Sequence, residues 1–467
     1  MKGVFLIVFL NLSYFLLSAE QKPNIIFYLA DDQNVLDYGC YGNNKVTTPA
    51  VDNLAKEGMR FTQAFTGQAI CAPSRNMLYT AKYPLKNGVF LNHIKTKKEI
   101  KSVTYYLKNL GYEVILAGKS HVNPSSVFDW TYHWDSEPDE SKPRKVLPLD
   151  EIENYLKTTN RPFCMFVTSD FPHGPYPNIT GTKKEEVKLF PYHWDSQRNL
   201  NRMKGYYENI KSDNNQLERV LQFLDESGKT NNTIFFYASD HGKDGKFTLY
   251  DRGLHVPLIV RWPGVINAGS VSNTMVHFID VMPTLIDLIG GQPPKDFDGK
   301  SFLTVLKGKD KVIHKYVYGV QSNQNIQQCA VFPSRMIRDE NFKYIRNFNS
   351  KEVVEKNLGE NENVNAFILL GAEKFKDVPY EELYDIKNDP FEQVNLACNI
   401  KYKEIKKQLV EELYNWMKQQ GDFLTEPGSM PLLKPTLHAL DKTSKWKTVP
   451  VELENTLNDD DYLKLHY

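Results

Sequence analysis

Two acidic words carry the first chemical signal in the chain. Asp31-Asp32 ends the apolar run Asn24 to Ala30, and Asp240-His241 ends the apolar run Thr233 to Ser239. Continuous apolar runs of this length read as strands buried on both faces, and a strand terminus fixes the direction of the polar side chains that follow it. Carboxylates supply charge and hard oxygen donors, so the two pairs together suit a divalent cation. An acidic strand end taken alone is an ordinary solvated turn; the placement of two pairs on one sheet edge is what favours a site. Lys119 and His121 follow a further strand-like run, Glu113 to Ala117, and His173 follows Phe163 to Ser169. The two histidines have reference pKa values near neutrality. Cys71-Ala-Pro-Ser-Arg75 puts a thiol ahead of a proline-initiated helix, which by itself spells a buried cysteine. His93, shortly after Gly88, sits on a loop near that helix.

The elements that must position these residues alternate. Thr48-Pro49 starts a helix that Gly58 stops, and helical patterns at Lys101 to Leu110, Met203 to Leu224 and Asp280 to Ile289 separate the strands, with another strand at Val256 to Trp262. Such alternation predicts an α/β fold with a mainly parallel sheet flanked by helices, and in such folds the site lies beyond the carboxyl ends of the strands. Past about residue 310 the pattern changes to short strands at Tyr316 to Gln321, Ser334 to Arg338, Lys343 to Arg346 and Glu382 to Asp385, with one amphipathic helix from Tyr402 to Gln419. This predicts a smaller C-terminal α+β subdomain, an antiparallel sheet under one helix. Ser350 to Glu382 is charged and irregular, and reads as an insertion or a loop near the site. The words Tyr132-His-Trp-Asp-Ser136 and Tyr192-His-Trp-Asp-Ser196 recur without any solenoid period.

Composition excludes several classes. The 467 residues exceed the size at which one core stops growing, so two cores are expected. Lys plus Arg and Asp plus Glu number 57 each, which leaves no basic field for nucleic acid. Five cysteines are too few for a disulfide scaffold. Met1-Lys2, the apolar Gly3 to Leu17 and the exit Ser18-Ala19 read as a cleaved signal peptide over 1–19, followed by no lipid-anchor cysteine. The expected product is exported, with no membrane span: periplasmic or secreted, or lysosomal in an animal host. Residues 20–310 then form the α/β unit and 311–467 the smaller one.

Taken together, Pro23-Asn-Ile-Ile-Phe-Tyr-Leu-Ala-Asp-Asp32, Cys71-Ala-Pro-Ser-Arg75, Gly118-Lys-Ser-His121, Pro172-His173 and Ser239-Asp-His-Gly242 resemble the type I sulfatase family. The resemblance runs from about residue 22 to 400 and includes Glu382-Leu-Tyr-Asp385 and Asp389-Pro-Phe-Glu-Gln-Val-Asn-Leu396. Tyr318-Gly-Val-Gln-Ser-Asn323 is most similar to the sulfamidase-like branch, the N-sulfoglucosamine sulfohydrolases. The resemblance implies an alkaline-phosphatase-like fold. It also implies that a formylglycine-generating enzyme oxidises Cys71 to formylglycine, whose hydrate attacks sulfur with one oxygen and releases sulfate by collapse of the other.

The same resemblance assigns roles. Asp31, Asp32, Cys71, Asp240 and His241 match the metal positions, Ca²⁺ being the expected ion, although many relatives carry Asn where His241 stands. Arg75 matches the residue that supports the diol and the carboxylates. Lys119 and Lys246 fit the sulfate-oxygen contacts, His121 the base that collapses the diol, and His173 the acid that protonates the leaving group. His93 and the residues near Gln321 to Asn323 are the expected sugar contacts. Lys82 stands where relatives end Thr-Gly-Arg, so support of the site is open at that point. The implied substrate is a sulfated oligo- or polysaccharide, as O-sulfate or N-sulfate, attacked from a chain end. Alternatives are a formylglycine-dependent phosphonate or phosphodiester hydrolase, or a non-catalytic carbohydrate-binding relative. Pairing of Cys40, Cys164, Cys329 and Cys398 stays open.

Overall fold

The apolar run that ends in Asp31-Asp32 is a strand, β1 (Asn24–Asp31), buried along its whole length. Its side chains alternate: Ile25, Phe27 and Leu29 enter one core cluster, and Ile26, Tyr28 and Ala30 enter another on the opposite face. A strand that must be apolar on both faces belongs in the middle of a covered sheet, and β1 lies there. A computed structural model describes residues 22–309, 311–323, 332–348 and 379–425.

The first unit contains β2 (Met59–Phe61), β3 (Ala64–Phe65), β4 (Glu113–Gly118), β5 (Tyr132–Trp134), β6 (Phe163–Pro172), β7 (Thr233–Ser239), β8 (Leu258–Arg261), β9 (Ser270–Ser272) and β10 (Val276–His277). Eight strands form one sheet in the order β5-β4-β6-β1-β7-β8-β2-β9. The five strands from β5 to β7 are mutually parallel, and β8 runs antiparallel to both of its neighbours, so the sheet is mixed. Ile25 pairs in register with Cys164 on one side and Ile234 on the other, which aligns the ends of β6, β1 and β7.

The second sheet is antiparallel: β11 (Val317–Asn323), β12 (Phe332–Arg338), β13 (Phe342–Asn347) and β14 (Glu381–Asp385), in that order. The helix Lys403–Gln420 covers it, with Trp416 stacked on Tyr318 at 4.5 Å between ring centroids. The two cores expected from chain length are joined: Val320, Ile337, Tyr344, Leu383 and Leu413 belong to the same buried cluster as Phe27 and Leu116. The irregular segment after Ser350 lies mostly outside the described residues, at 349–378. Among the described residues no helix is long and apolar enough to cross a membrane.

Candidate active site

The site is assembled where β4, β6, β1 and β7 end. Asp31 closes β1, and Asp32 turns the chain with a left-handed φ of 63°, a conformation that costs energy for a residue with a Cβ. The next strand holds that turn. Asp240 Oδ1 accepts the backbone N–H groups of Asp32 (3.0 Å) and His241 (2.9 Å), and Ser239 Oγ accepts that of Gln33 (2.9 Å). Gly242 is required because a Cβ there would stand 2.1 Å from the Arg252 carbonyl oxygen.

Cys71 opens the helix Cys71–Thr80, every residue of which is buried. Asn92 Oδ1 accepts the N–H of Ala72 (3.2 Å), one of the first-turn donors that the helix cannot satisfy itself. Ser74 Oγ donates to the Asp240 carbonyl (2.5 Å) and shares a 2.7 Å hydrogen bond with Thr66, which ties the helix to the end of β7. Arg75 donates from Nε and Nη2 to Asp240 Oδ2 (3.2 and 3.1 Å), lies 3.5 Å from Asp31 Oδ1, and donates from Nη1 to the Lys119 carbonyl (3.1 Å). It thereby orients two carboxylates at once.

Around the thiol the other groups converge. Cys71 Sγ is 3.5 Å from Asp31 Oδ1, 3.7 Å from Asp32 Oδ1, 3.4 Å from His241 Nε2 and 3.7 Å from Lys246 Nζ. Lys119 pairs with Asp31. Lys246 reaches Asp32 (2.8 Å) and His173 Nε2 (3.1 Å). His173 Nδ1 lies 2.6 Å from the Gly174 carbonyl, which assigns the ring proton to Nδ1 and leaves Nε2 toward Lys246 and Asp32.

Burial opposes ionisation of these acids, but Lys119 and Arg75 beside Asp31, and Lys246 and His241 beside Asp32, hold both carboxyls well below the usual range. Burial disfavours charge on His241 too, yet Asp240 and Asp32 pull its pKa well above the ordinary value. Two sets of ligand atoms, from Asp32, Cys71 and His241 and from Asp31, Cys71 and Asp240, each lie within 4.8 Å of one another. Buried oxygen donors with one imidazole fit a divalent cation.

His121 and His93 stand as a second group, their rings 5.1 Å apart. Burial, then the Lys119 and Arg75 charges, hold the His121 pKa well below its ordinary value, and its buried Nδ1 has no hydrogen-bond partner among the described residues. Gln321 and Ser322 are buried, and Arg335 donates to the carbonyl of the first (3.0 Å) and the hydroxyl of the second (3.4 Å). The Val320 N–H donates to Gly67 (2.8 Å), which brings β11 against the loop ahead of Cys71. Lys82 turns away to Asp296 (2.8 Å), and Ala81 before it holds a left-handed φ of 54°. Cys40, Cys71, Cys164 and Cys398 are free thiols; Cys329 lies outside the described residues. Sequence reasoning missed Asn92, Ser74 and Ser239 as supports. The two serines stand inside the site's own words, whereas Asn92 had no signal.

The chain also matches known proteins. The sulfatase family model matches residues 23–291, and the model for the C-terminal region of N-sulphoglucosamine sulphohydrolase matches 239–367. An ulvan-active sulfatase of Formosa agariphila is 53% identical over 96% of this chain and 91% of its own. Human N-sulphoglucosamine sulphohydrolase is 25% identical over 87% of this chain and 92% of its own. The solved structure of a 2-O GAG sulfatase superposes with a TM-score of 0.70 at 22% identity, covering 88% of this chain and 96% of that one. With the thiol, the arginine and the acid pairs assembled at one sheet edge, and with a matching model over most of the first unit, the chain belongs to the sulfatase family.

Proposed function

We propose that the protein removes sulfate, as O-sulfate or N-sulfate, from the end of a sulfated oligo- or polysaccharide, using formylglycine at position 71 and one divalent cation, Ca²⁺ in the first instance. The single observation that carries this reading is the convergence on Cys71 Sγ of Asp31, Asp32, His241 and Lys246, all within 3.7 Å. The name of the Formosa relative supports a sulfated saccharide as substrate. In this reading residues 1–19 direct export and are removed, 20–310 form the catalytic unit and 311–467 the smaller one. A formylglycine-generating enzyme acts on the chain before use.

Asp31, Asp32, Asp240 and His241 would hold the cation. With the hydrated aldehyde, the bound cation supplies an acidified nucleophilic oxygen and charge screening for the sulfate. The chain's own groups do the rest. Lys119 and Lys246 place fixed positive charge where sulfate oxygens gain electron density. His173, whose Nδ1 is directed by the Gly174 carbonyl, would donate from Nε2 to the leaving oxygen or nitrogen when its ring carries a second proton, taken up at Nε2. His121, kept neutral by burial and two cations, is ready to accept a proton as sulfate departs. Arg75 positions Asp31 and Asp240 rather than touching substrate.

Two measurements test the reading. The mass of the peptide containing Cys71, from protein matured with the generating enzyme, is expected to show the aldehyde. A time course on a defined sulfated oligosaccharide, run beside aryl sulfate and aryl phosphodiester, is expected to show sulfate lost from one end and the phosphodiester turned over poorly. An unmodified thiol with full turnover, or early random loss of internal sulfates, contradicts the mechanism or the end-on attack respectively.

A further inference from the structure

We propose that a cavity of about 430 Å³ between Arg252 and the Asp385 to Glu392 turn is a second carbohydrate site, one that takes an anionic sugar residue. It is lined by Tyr192, Arg252, His255, Arg338, Lys387 and Phe391 among others, and by none of Cys71, Lys119, His121, His173 or Lys246. The inference rests on the proposed action on a sulfated saccharide and gives that chain a second hold.

Arg252 is the decisive residue. Its guanidinium lies over two aromatic rings, 5.2 Å from the Tyr192 ring centroid and 4.9 Å from that of Tyr250. Its Nε is buried with no hydrogen-bond partner among the described residues. Arg252 lines the cavity, its terminal nitrogens have no hydrogen-bond or ion-pair partner among the described residues, and such a planar fork of donors is matched by a carboxylate or a sulfate. Its neighbours differ. Arg338 pairs with Asp251, and Lys343 takes Asp251 (2.5 Å) and Glu392 (2.6 Å), so the acids of the wall are already compensated. His255 sits 2.9 Å through Nε2 from the Thr62 carbonyl and is held down to about 4 by burial, so it brings no charge near neutrality. Of the other charged lining groups, Lys387 adds to the attraction and Glu340 opposes it.

The walls suit a sugar. Tyr192 and Phe391 stand with ring centroids 6.2 Å apart and tilted by 56°, which offers apolar faces to the C–H side of a pyranose. The volume falls in the range of small-ligand pockets. The cavity is also close to the centre: Asn34, two residues beyond Asp32, lines it, and Gly242 packs on the Arg252 carbonyl. A chain held here by one acidic residue would be presented near the Cys71 site.

The test is equilibrium binding by calorimetry of three probes: a hexuronic acid, a sulfated hexose and a neutral hexose, to the full-length matured protein and to Arg252→Met and Phe391→Ala. Wild type is expected to bind at least one acidic sugar about tenfold more tightly than the neutral one, and either substitution to remove that preference. Binding of the uronate alone assigns a carboxylate, and binding of the sulfated hexose alone a sulfate. Turnover of a small aryl sulfate by the variants is expected within about twofold of wild type, since neither residue touches the centre. Footprinting of Tyr192 and Phe391 on the wild-type protein, with and without the preferred acidic sugar, covers the case of a variant that fails to fold. Unchanged acid binding in both variants, no acid preference in wild type, or no protection of the two rings overturns the proposal. Loss of aryl sulfate turnover by wild type would instead count against the sulfatase mechanism, and reads out separately.

Discussion

Two of the regions that bury charge among the described residues use it differently. At the Cys71 centre Asp31, Asp32 and Asp240 stand against Arg75, Lys119 and Lys246, and the carboxylate oxygens of Asp31 and Asp32 face one sulfur atom. In the seam around the second sheet, Arg335 grips Asp422 through two hydrogen bonds (2.6 and 3.0 Å) and spends Nη1 on the Gln321 and Ser334 carbonyls. Both side chains of that pair are fully buried, so nothing is left for a guest. At the centre Lys246 and His173 keep 21% and 29% of their side chains exposed, a way in for substrate. A buried ion pair is therefore no sign of function by itself. Convergence of unspent lone pairs on a reactive atom, with an exposed approach, is what separates the two regions.

The sharpest way to break this contrast is Cys71→Ala, which is expected to cut turnover of aryl and sugar sulfates by at least about 10³-fold while leaving the thermal melt in place. Cys71→Ser is expected to fail as well, because a serine has no second hydroxyl with which to expel sulfate. Exhaustive chelation comes next: a loss of about 10²-fold, reversed by a divalent ion, with one ion per chain by elemental analysis. Full activity with no metal detectable would remove the cation from the centre. The seam should answer in the opposite sense. Arg335→Leu strands Asp422 without a partner and is expected to cost about 3–5 kcal/mol in denaturant unfolding, with kcat of the folded fraction unchanged. If Arg335→Leu instead lowered kcat at full stability, the division into functional and structural charge would fall. His93→Ala is expected to raise KM several-fold for a sulfated saccharide and to leave aryl sulfate unchanged, a ratio read from paired kinetics.

The smallest effect concerns a buried acid that belongs to neither group. Asp213 accepts a hydrogen bond from Tyr28 (2.8 Å), and burial pushes its carboxyl up to about 7. The folded chain thus keeps a proton that the unfolded chain has lost, from an ordinary carboxyl pKa near 4 up to about 7. That group's contribution to stability falls as pH rises through this window. Asp213→Asn, which carries no such proton, is expected to melt progressively closer to wild type, or above it, as pH goes from 5 to 8. A difference in melting temperature that is flat across this range would show Asp213 to be ionised throughout, with its charge compensated as at the centre.

Much of the scaffold was legible because its signals are local. The apolar runs of β1, β4, β6 and β7 and the change of pattern past residue 310 all appear as expected. The helix Gln197–Glu226 begins earlier than Met203, where Ser196 Oγ accepts the Asn199 N–H (3.3 Å) as its cap. The helix Leu149–Thr158 went unread although Ile152, Tyr155 and Leu156 carry its buried face. The repeated five-residue word shows why short likeness misleads: Tyr132–Trp134 is a strand at the sheet edge, whereas Tyr192 lines the Arg252 cavity.

For the site, the sequence by itself determined which residue types were present and that they follow strands, because a strand end and a proline-led helix are written in consecutive residues. It could not say which oxygens of Asp240 and Asp31 Arg75 engages, that Lys82 turns away to Asp296, or that Arg252 lies over two rings with no carboxylate partner among the described residues. Those outcomes depend on groups far apart in the chain, as with the Asp32 N–H and Asp240, 208 residues apart, brought to 3.0 Å. The register of β1 between β6 and β7 decides which ends align, and the docking of the second sheet on the Gly67 loop decides what closes around them. Pairing and packing are cooperative properties of the whole fold, so the partner of each charge was settled only there.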